Sequence, residues 1–424
     1  MRMHRSVKGA VGIVAMASAV ALVVSGCARG GDDGDTDTGD GDGVTASPGI
    51  TDTELSFGIT SPLTGATAGP GNCTADGALA YFGVKNAEGG IEFGDGKTRT
   101  IEITTYDDTY DPQKALSNFQ QMVADDVFAA GIGLGTPTNR AWREAAIDEE
   151  VPQVLVMTGD PLFSNVEESP WQMGLVPTYM QEGGAFGELL VESGEPHKVA
   201  ILSQNDDYGD GYVEGFKEAI AGSDNIEVVG ELTYEATDTS VDAQLTELAG
   251  TDADVFFNAM SITPLVISAL QKAQQLSWLP SWFLPSNTSS PVAILEPGGG
   301  DAFPGIYTVA FSESAASPAF QESEEGKKFL DALGEYTNQD GIPGFPHCVW
   351  SWIGASVLEE AFGKMEEPTR ESFMEALRSI SDFDAPFMLP GAAIDTTTDG
   401  TPAVSEVVVQ KYNGKGYETA ESLG

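Results

Sequence analysis

Few residues in this chain have covalent or metal chemistry to offer. Its three histidines, His4, His197 and His347, are isolated from one another. It contains no phosphate-cradling GxxxxGK[ST], no zinc-binding HExxH and no nucleophile-bearing GxSxG. A catalytic zinc or a serine triad has little to work with, so neither a metal site nor a cofactor is expected. What the residue types suit is noncovalent binding. The loop Gly133-Leu134-Gly135-Thr136-Pro137-Thr138 follows an apolar run at 127–132 and precedes a helical pattern. Glycine lets the backbone approach a ligand closely. Helix-start N–H groups and threonine hydroxyls together suit a carboxylate or another oxygen acceptor. Thr138 can alternatively be read as a helix N-cap.

These residues need elements to position them. Leu55, Phe57 and Ile59 alternate with polar residues, which predicts a strand. A Pro/Gly-rich loop at 61–73 leads to a helix over 74–86 that stops at Gly89-Gly90. Ile101 and Ile103 mark the next strand, and Asp111-Pro112 opens the next helix as cap and first-turn proline. Apolar strands at 127–132 and 151–157 flank a helix near 139–149. The same alternation restarts after Gly174, with strands near 199–202, 226–234, 255–257, 282–284 and 306–311. Helices are expected near 183–192, 209–221, 240–249, 264–276, 324–338, 349–363 and 370–380, and a last strand at 404–411. Strands alternating with helices imply parallel sheets flanked by helices, and two such runs imply two lobes.

The N-terminus reads as a secretory leader: Arg2, Arg5 and Lys8, then an apolar run from Gly9 to Val24, then small residues. That run is short of the ~20 residues a membrane span needs. Val24-Ser25-Gly26-Cys27 resembles the lipobox of bacterial lipoproteins. The resemblance implies that Cys27 becomes the mature N-terminus and carries lipid on its sulfur and amine. The alternative is an ordinary signal cleaved nearby, which releases a free secreted protein. Residues 27–49 hold no core-forming run and read as a flexible acidic tether.

Beyond the leader, 65 acidic residues face 17 basic ones, a net charge of about −48. Phosphate binding needs clustered Lys and Arg, so a nucleic-acid partner is not expected. Cys73 and Cys348 form an even pair in an oxidising compartment, either bridged or as two free thiols.

The chain resembles the solute-binding proteins of branched-chain-amino-acid-type ABC importers. The likeness rests on SPLTG at 61–65, DGALAYFGVKNAEGGI at 76–91, YDDTYDPQKA at 106–115, GIGLGTPTN at 131–139 and ILSQNDDYGDG at 201–211. The closing stretch PGAAIDTTTDGTPAVSEVVVQKYNG fits as well. The resemblance implies a two-lobed α/β, type I periplasmic-binding fold in which the chain crosses three times between lobes. Those crossings are expected near 174–177, 305–312 and 384–392. They assign 50–174 and 310–384 to lobe 1, and 175–309 and 385–424 to lobe 2. Cys73 and Cys348 then share a lobe, which favours the bridge.

The resemblance also implies a binding site between the lobes. Its carboxylate loop falls on Gly135, Thr136 and Thr138. The stretch Thr158-Gly159-Asp160-Pro161 contributes backbone and a polar side chain, unless Asp160 is a helix cap. Tyr208 would pack on the ligand, where an aromatic face can also hold a cation, or else sit in the core. Ser261 faces it from the loop after the 255–257 strand, and Trp350 walls the pocket or packs in the core. Amino-acid binders of this family hold the ligand ammonium with an acid in lobe 2. The matching loop here is Leu284-Pro285-Ser286-Asn287-Thr288, which has none. Either Asp160, Asp206 or Asp207 substitutes, or the solute is not an ordinary α-amino acid. The expected partners are a small amino acid or related amide or carboxylate, an ABC permease with its ATPase subunits, and the membrane through lipid. The protein is expected to be a monomer outside the cytoplasm. A ligand sensor for a membrane receptor is the alternative, and a hydrolase using the same cleft is the alternative of another class.

Overall fold

The computed structural model describes residues 44–420 and 423. The leader and Cys27 lie outside the described residues. Thirteen strands run in chain order among the described residues. They are β1 (Glu54–Ser61), β2 (Ile91–Glu92), β3 (Thr98–Asp107), β4 (Ala129–Gly131), β5 (Gln153–Val156), β6 (Gln172–Gly174), β7 (His197–Gln204), β8 (Ile226–Tyr234), β9 (Val255–Ala259), β10 (Ser281–Phe283), β11 (Ile306–Ala310), β12 (Val408–Tyr412) and β13 (Tyr417–Thr419). They form two sheets, ordered β2-β3-β1-β4-β5-β6 and β13-β12-β11-β10-β9-β7-β8. Only the edges are antiparallel: β2 on β3 in the first sheet, and β12 on β11 and β13 on β12 in the second. Parallel strands bury both faces, and β9 shows why its Phe-Phe pair suits that place. Phe256 packs into the cluster on one face with Trp282 and Leu270, and Phe257 into the other with Phe186 and Phe283.

The chain crosses between the lobes three times. It leaves β6 for helix Tyr179–Ser193 of lobe 2 and returns after β11 to helices that pack on the first sheet. The last crossing follows Val404, about a dozen residues later than the expected 384–392. Phe387, Ile394, Ala403 and Val404 all belong to the core of lobe 1. The amides of Ala403 and Val404 bond the carbonyls of Gly174 and Leu175, so β12 cannot begin before 405 and starts at Val408.

Two other boundaries move. The ordered body begins before residue 50: the Ser47 amide bonds the Pro368 carbonyl, and its hydroxyl accepts from the Arg370 amide. The first helix starts at Ala68, inside the expected Pro/Gly loop. Pro70 falls in its first turn, where a missing N–H costs nothing. Gly71 permits a close approach, since a Cβ there would lie 2.0 Å from the Pro62 carbonyl oxygen.

Helix Ala68–Ala87 packs on helix His347–Lys364, and the disulfide Cys73–Cys348 joins them across 275 residues of sequence. Gly77, one turn along, faces the Cys348 carbonyl oxygen, which a Cβ would meet at 2.2 Å. The bridge therefore fixes the start of the second helix, and with it His347 and Trp350.

Candidate functional site: a closed cleft between the lobes

The loops at the carboxyl ends of the parallel strands face one another across the cleft, where α/β sheets bind ligands. From lobe 1 come Tyr110 after β3, Gly135 and Thr136 after β4, Met157 after β5, and His347 and Trp350 from the disulfide-anchored helix. From lobe 2 come Tyr179 and Glu182, Tyr208 and Tyr212, Ser261, Ser286 and Asn287. Together they line one cavity.

Direct contacts between lobes hold it shut. Thr136 Oγ lies 2.8 Å from the Tyr179 hydroxyl and 2.9 Å from Thr158 Oγ, and Thr158 Oγ is 3.1 Å from the same hydroxyl. Arg140, one turn beyond Thr136, pairs with Asp160 of its own lobe and at 2.9 Å with Asp207 of the other. Ser290 donates to the Gly344 carbonyl. Tyr110 reaches from lobe 1 to Gln204 and Ser261 of lobe 2, and its phenol is pushed up to about 12, first by burial and then by the Asp206 charge. Thr109 and Tyr110 have φ of 51° and 63°, a left-handed conformation that bulky residues rarely hold without a reason. The Tyr110 ring packs over Gly135, where φ is 109° and a Cβ would meet the ring at 2.6 Å.

Glu182 is 2% exposed and lines the cavity. Its position follows from a capping box at the crossing: Thr178 caps helix Tyr179–Ser193 with Gln181 reaching back, so Glu182 falls on the inner face one turn in. Oε1 accepts from Ser286 Oγ at 2.7 Å. Oε2 accepts from the Ser286 amide at 3.1 Å and the Tyr212 hydroxyl at 2.8 Å. Burial pushes its carboxyl up to about 7, against the pull of those bonds. His347 is 1% exposed, and neither ring nitrogen has a hydrogen-bond partner among the described residues. Burial lowers it to about 3, so the ring is neutral.

Of the residues expected at the site, Gly135, Thr136, Tyr208, Ser261, Ser286 and Trp350 line this cavity. Thr138, Thr158 and Asp160 do not. The helix starts at Thr136 with Gly135 at its N-cap, so Thr138 lies in the first turn and its hydroxyl bonds back to the Leu134 carbonyl at 2.8 Å. Thr158 supports Thr136 and Tyr179 from behind. Asp160 caps the short turn Pro161–Ser164 and pairs with Arg140. Asp206 caps the helix that carries Tyr208, and Asp207 is taken up by Arg140. The lobe 2 acid that lines the cavity is Glu182, which bonds Ser286 from another element.

Sequence reasoning missed several lining groups, among them Glu182, His347 and Tyr110. Glu182 shares one helix stripe with Phe186 and Leu190, a charged residue on an apolar face, but the helix was expected only from 183. His347 sits in the apolar stretch His-Cys-Val-Trp, and its isolation from other ligands hid its use. Tyr110 depends on a left-handed backbone that no spacing foretells.

The periplasmic binding protein family model matches residues 54–417. The chain belongs to that family. A Leu/Ile/Val-binding protein homologue from Brucella melitensis is 25% identical over 215 residues, which cover 48% of this chain and 54% of that protein. The chain spans about half the length of the curated relatives it matches. Among solved structures, a fatty acid ABC transporter substrate-binding protein from Thermomonospora curvata superposes with a TM-score of 0.76 at 23% identity, covering 90% of this chain and 96% of that one. A branched-chain amino acid transporter substrate-binding protein from Streptococcus pneumoniae, in complex with isoleucine, gives 0.69 at 20% identity over 88% and 99%. At these identities the likeness establishes the shared two-lobed fold. The family and its neighbours are binding proteins, and the family's place is outside the cytoplasm. Among the described residues, no helix is long and apolar enough to cross a membrane.

Proposed function

We propose that this chain is the lipid-anchored solute receptor of an ABC importer. A small organic solute enters the open cleft, both lobes close on it, and the closed form docks on a membrane permease. The observation that carries this reading is a buried cavity whose walls come from both lobes, bordered by the lobe-to-lobe contacts of Tyr179, Arg140 and Tyr110. In such an arrangement, burying the solute and making those contacts are one event, so a ligand that touches both walls shifts the population toward closed. Family membership and the lipobox-like Val24-Ser25-Gly26-Cys27 support import and anchoring. Delivery to an importer accounts for a binding fold held at a membrane.

The test is mass spectrometry of solute retained on purified protein, followed by small-angle scattering with that solute added. The expected outcome is a smaller radius of gyration and a higher Tm. Scattering unchanged by any retained or added solute would overturn the reading. For the anchor, Cys27→Ser should release the protein from washed membranes into the medium; equal retention of the variant would argue against acylation.

A further inference from the structure

Resting on that solute-binding reading, we propose that the solute carries a positively charged nitrogen seated against Glu182 among Tyr179, Tyr208 and Tyr212, and a second polar atom that pairs with His347. Glu182 is the one acidic side chain lining the cavity, and no lysine or arginine lines it among the described residues. Arg140, the nearby cation on the cleft, is occupied by Asp160 and Asp207. A buried carboxylate without a counter-charge is costly, and a cationic solute removes that cost. The geometry leaves room for the contact. A carboxylate offers about four acceptor positions. Three are filled by Ser286 and Tyr212, and the free one is on Oε1. The rings of Tyr179, Tyr208 and Tyr212 line the same cavity, 4.8 to 5.0 Å apart centroid to centroid, and aromatic faces attract cations.

His347 is the independent observation. A buried imidazole with both nitrogens unpaired among the described residues carries a desolvation cost that a ligand atom can remove. It lines the same cavity from the opposite lobe, packed at 4.7 Å on Trp350. Its neutral ring gives one N–H donor and one acceptor nitrogen, and a solute oxygen or nitrogen satisfies either. Met157, Leu134, Val176 and Pro70 add apolar lining and call for an apolar body between the two polar ends. The recognised class is a small organic amine or amino compound, not a simple fatty or aromatic acid.

The test uses sets of three compounds sharing one skeleton: the amine, the amino acid and the deaminated carboxylate. Branched-chain, straight-chain and phenyl skeletons are each scored by thermal shift and calorimetry on the intact protein. Compounds with the cationic nitrogen should bind roughly tenfold or more tightly than the deaminated acid, and Glu182→Gln should abolish that preference. His347→Gln should weaken the best ligand while His347→Ala weakens it further, with the preference for the amine retained. Wild type should also release protons on binding an amine at pH 6 and almost none at pH 8. Glu182 is the lining group that titrates there, since the phenols of Tyr110, Tyr179, Tyr208 and Tyr212 lie above and His347 is neutral. If the deaminated acids bind as tightly as the amines, the charge assignment falls while the receptor reading survives. Unchanged affinity in His347→Gln and His347→Ala removes His347 from recognition. If no set raises Tm or compacts the protein, the solute-binding reading itself fails.

Discussion

The two walls of the cleft are built by opposite means. Lobe 1 assembles its wall from pieces far apart in sequence: Tyr110, the Gly135–Thr136 loop, and His347 with Trp350. The last two are held in place beside the Cys73–Cys348 bridge. Lobe 2 draws its wall from residues 179–287, on a sheet and helices locked together by stacked aromatics such as Phe216 on Phe257 and Phe257 on Phe283. The first wall offers neutral polar groups and the second the acid. One wall depends on a covalent staple and the other on packing, so they should fail differently.

Removing the staple should have the largest effect. Cys73→Ser is expected to lower stability by about 2–5 kcal/mol in urea titrations under oxidising conditions. Reductant should bring wild type to the same midpoint, and equal loss by the variant relative to wild type with reductant present would contradict the bridge. Because Cys348 adjoins His347, the variant should also bind solute more weakly, while the lobe 2 aromatic signals persist.

On the other wall, Tyr208→Ala is expected to weaken solute binding by about 1–3 kcal/mol in calorimetry. Its ring leans on Tyr179 and Tyr212, and its hydroxyl donates to Asn287 at 3.0 Å. Tyr208→Phe keeps the ring and should recover most of the affinity. Unchanged affinity in the alanine variant would make Tyr208 a wall of the lobe, not of the site.

The same contrast governs what could be read from sequence. The alternating strands and helices were legible because burial imposes a period, and so were the loops after β4 and β9 that carry Gly135, Thr136 and Ser261. The Cys73–Cys348 pair was legible once both fell in one lobe. Glu182 was not, because its neighbour Ser286 lies 104 residues away and only the fold brings them together. Thr138 and Asp160 read as ligands from sequence because binding uses the same residue types as local bonds to the backbone, which Thr138 makes to the Leu134 carbonyl and Asp160 as a cap. The last crossing was misplaced because 385–404 has no regular period, and its place is set by amide bonds to Gly174 and Leu175.

The unliganded protein should carry two opposed pH dependences, one from each wall. Glu182 is raised from 4.5 to about 7 in the folded state. Its contribution is therefore fully present below about 4.5 and lost as pH rises through 7. His347 is lowered from 6.5 to about 3. Its contribution is present above 6.5 and lost as pH falls toward 3. Between 4.5 and 6.5 the two slopes oppose each other, each at most about 1.4 kcal/mol per pH unit. Relative to wild type, whose curve also carries the raised Asp76 and Asp108 carboxyls, the slope of Tm with pH should therefore turn upward in Glu182→Gln and downward in His347→Gln. Parallel Tm–pH curves for all three proteins would show that neither group titrates as its burial requires.

The smallest effect should come from the contact that joins the walls. Asp207→Asn removes the charge pair with Arg140 across the cleft and leaves the Arg140–Asp160 pair inside lobe 1 intact. The Arg140 and Asp207 side chains are 36% and 50% exposed, so solvent and salt screen the pair to about 0.2–1 kcal/mol. That is too little to unfold either lobe, but it bears directly on an open–closed balance of a few kcal/mol. Scattering of the unliganded variant at low salt should show a larger radius of gyration than wild type, and added salt should erase the difference by weakening the wild-type pair. Arg140→Ala is the matched control. It also strips Asp160, whose side chain is 2% exposed, of its cation, so it should lower Tm as well as open the cleft. If Asp207→Asn lowers Tm as much as Arg140→Ala and leaves the scattering unchanged, the pair would stabilise the fold and not the closed state.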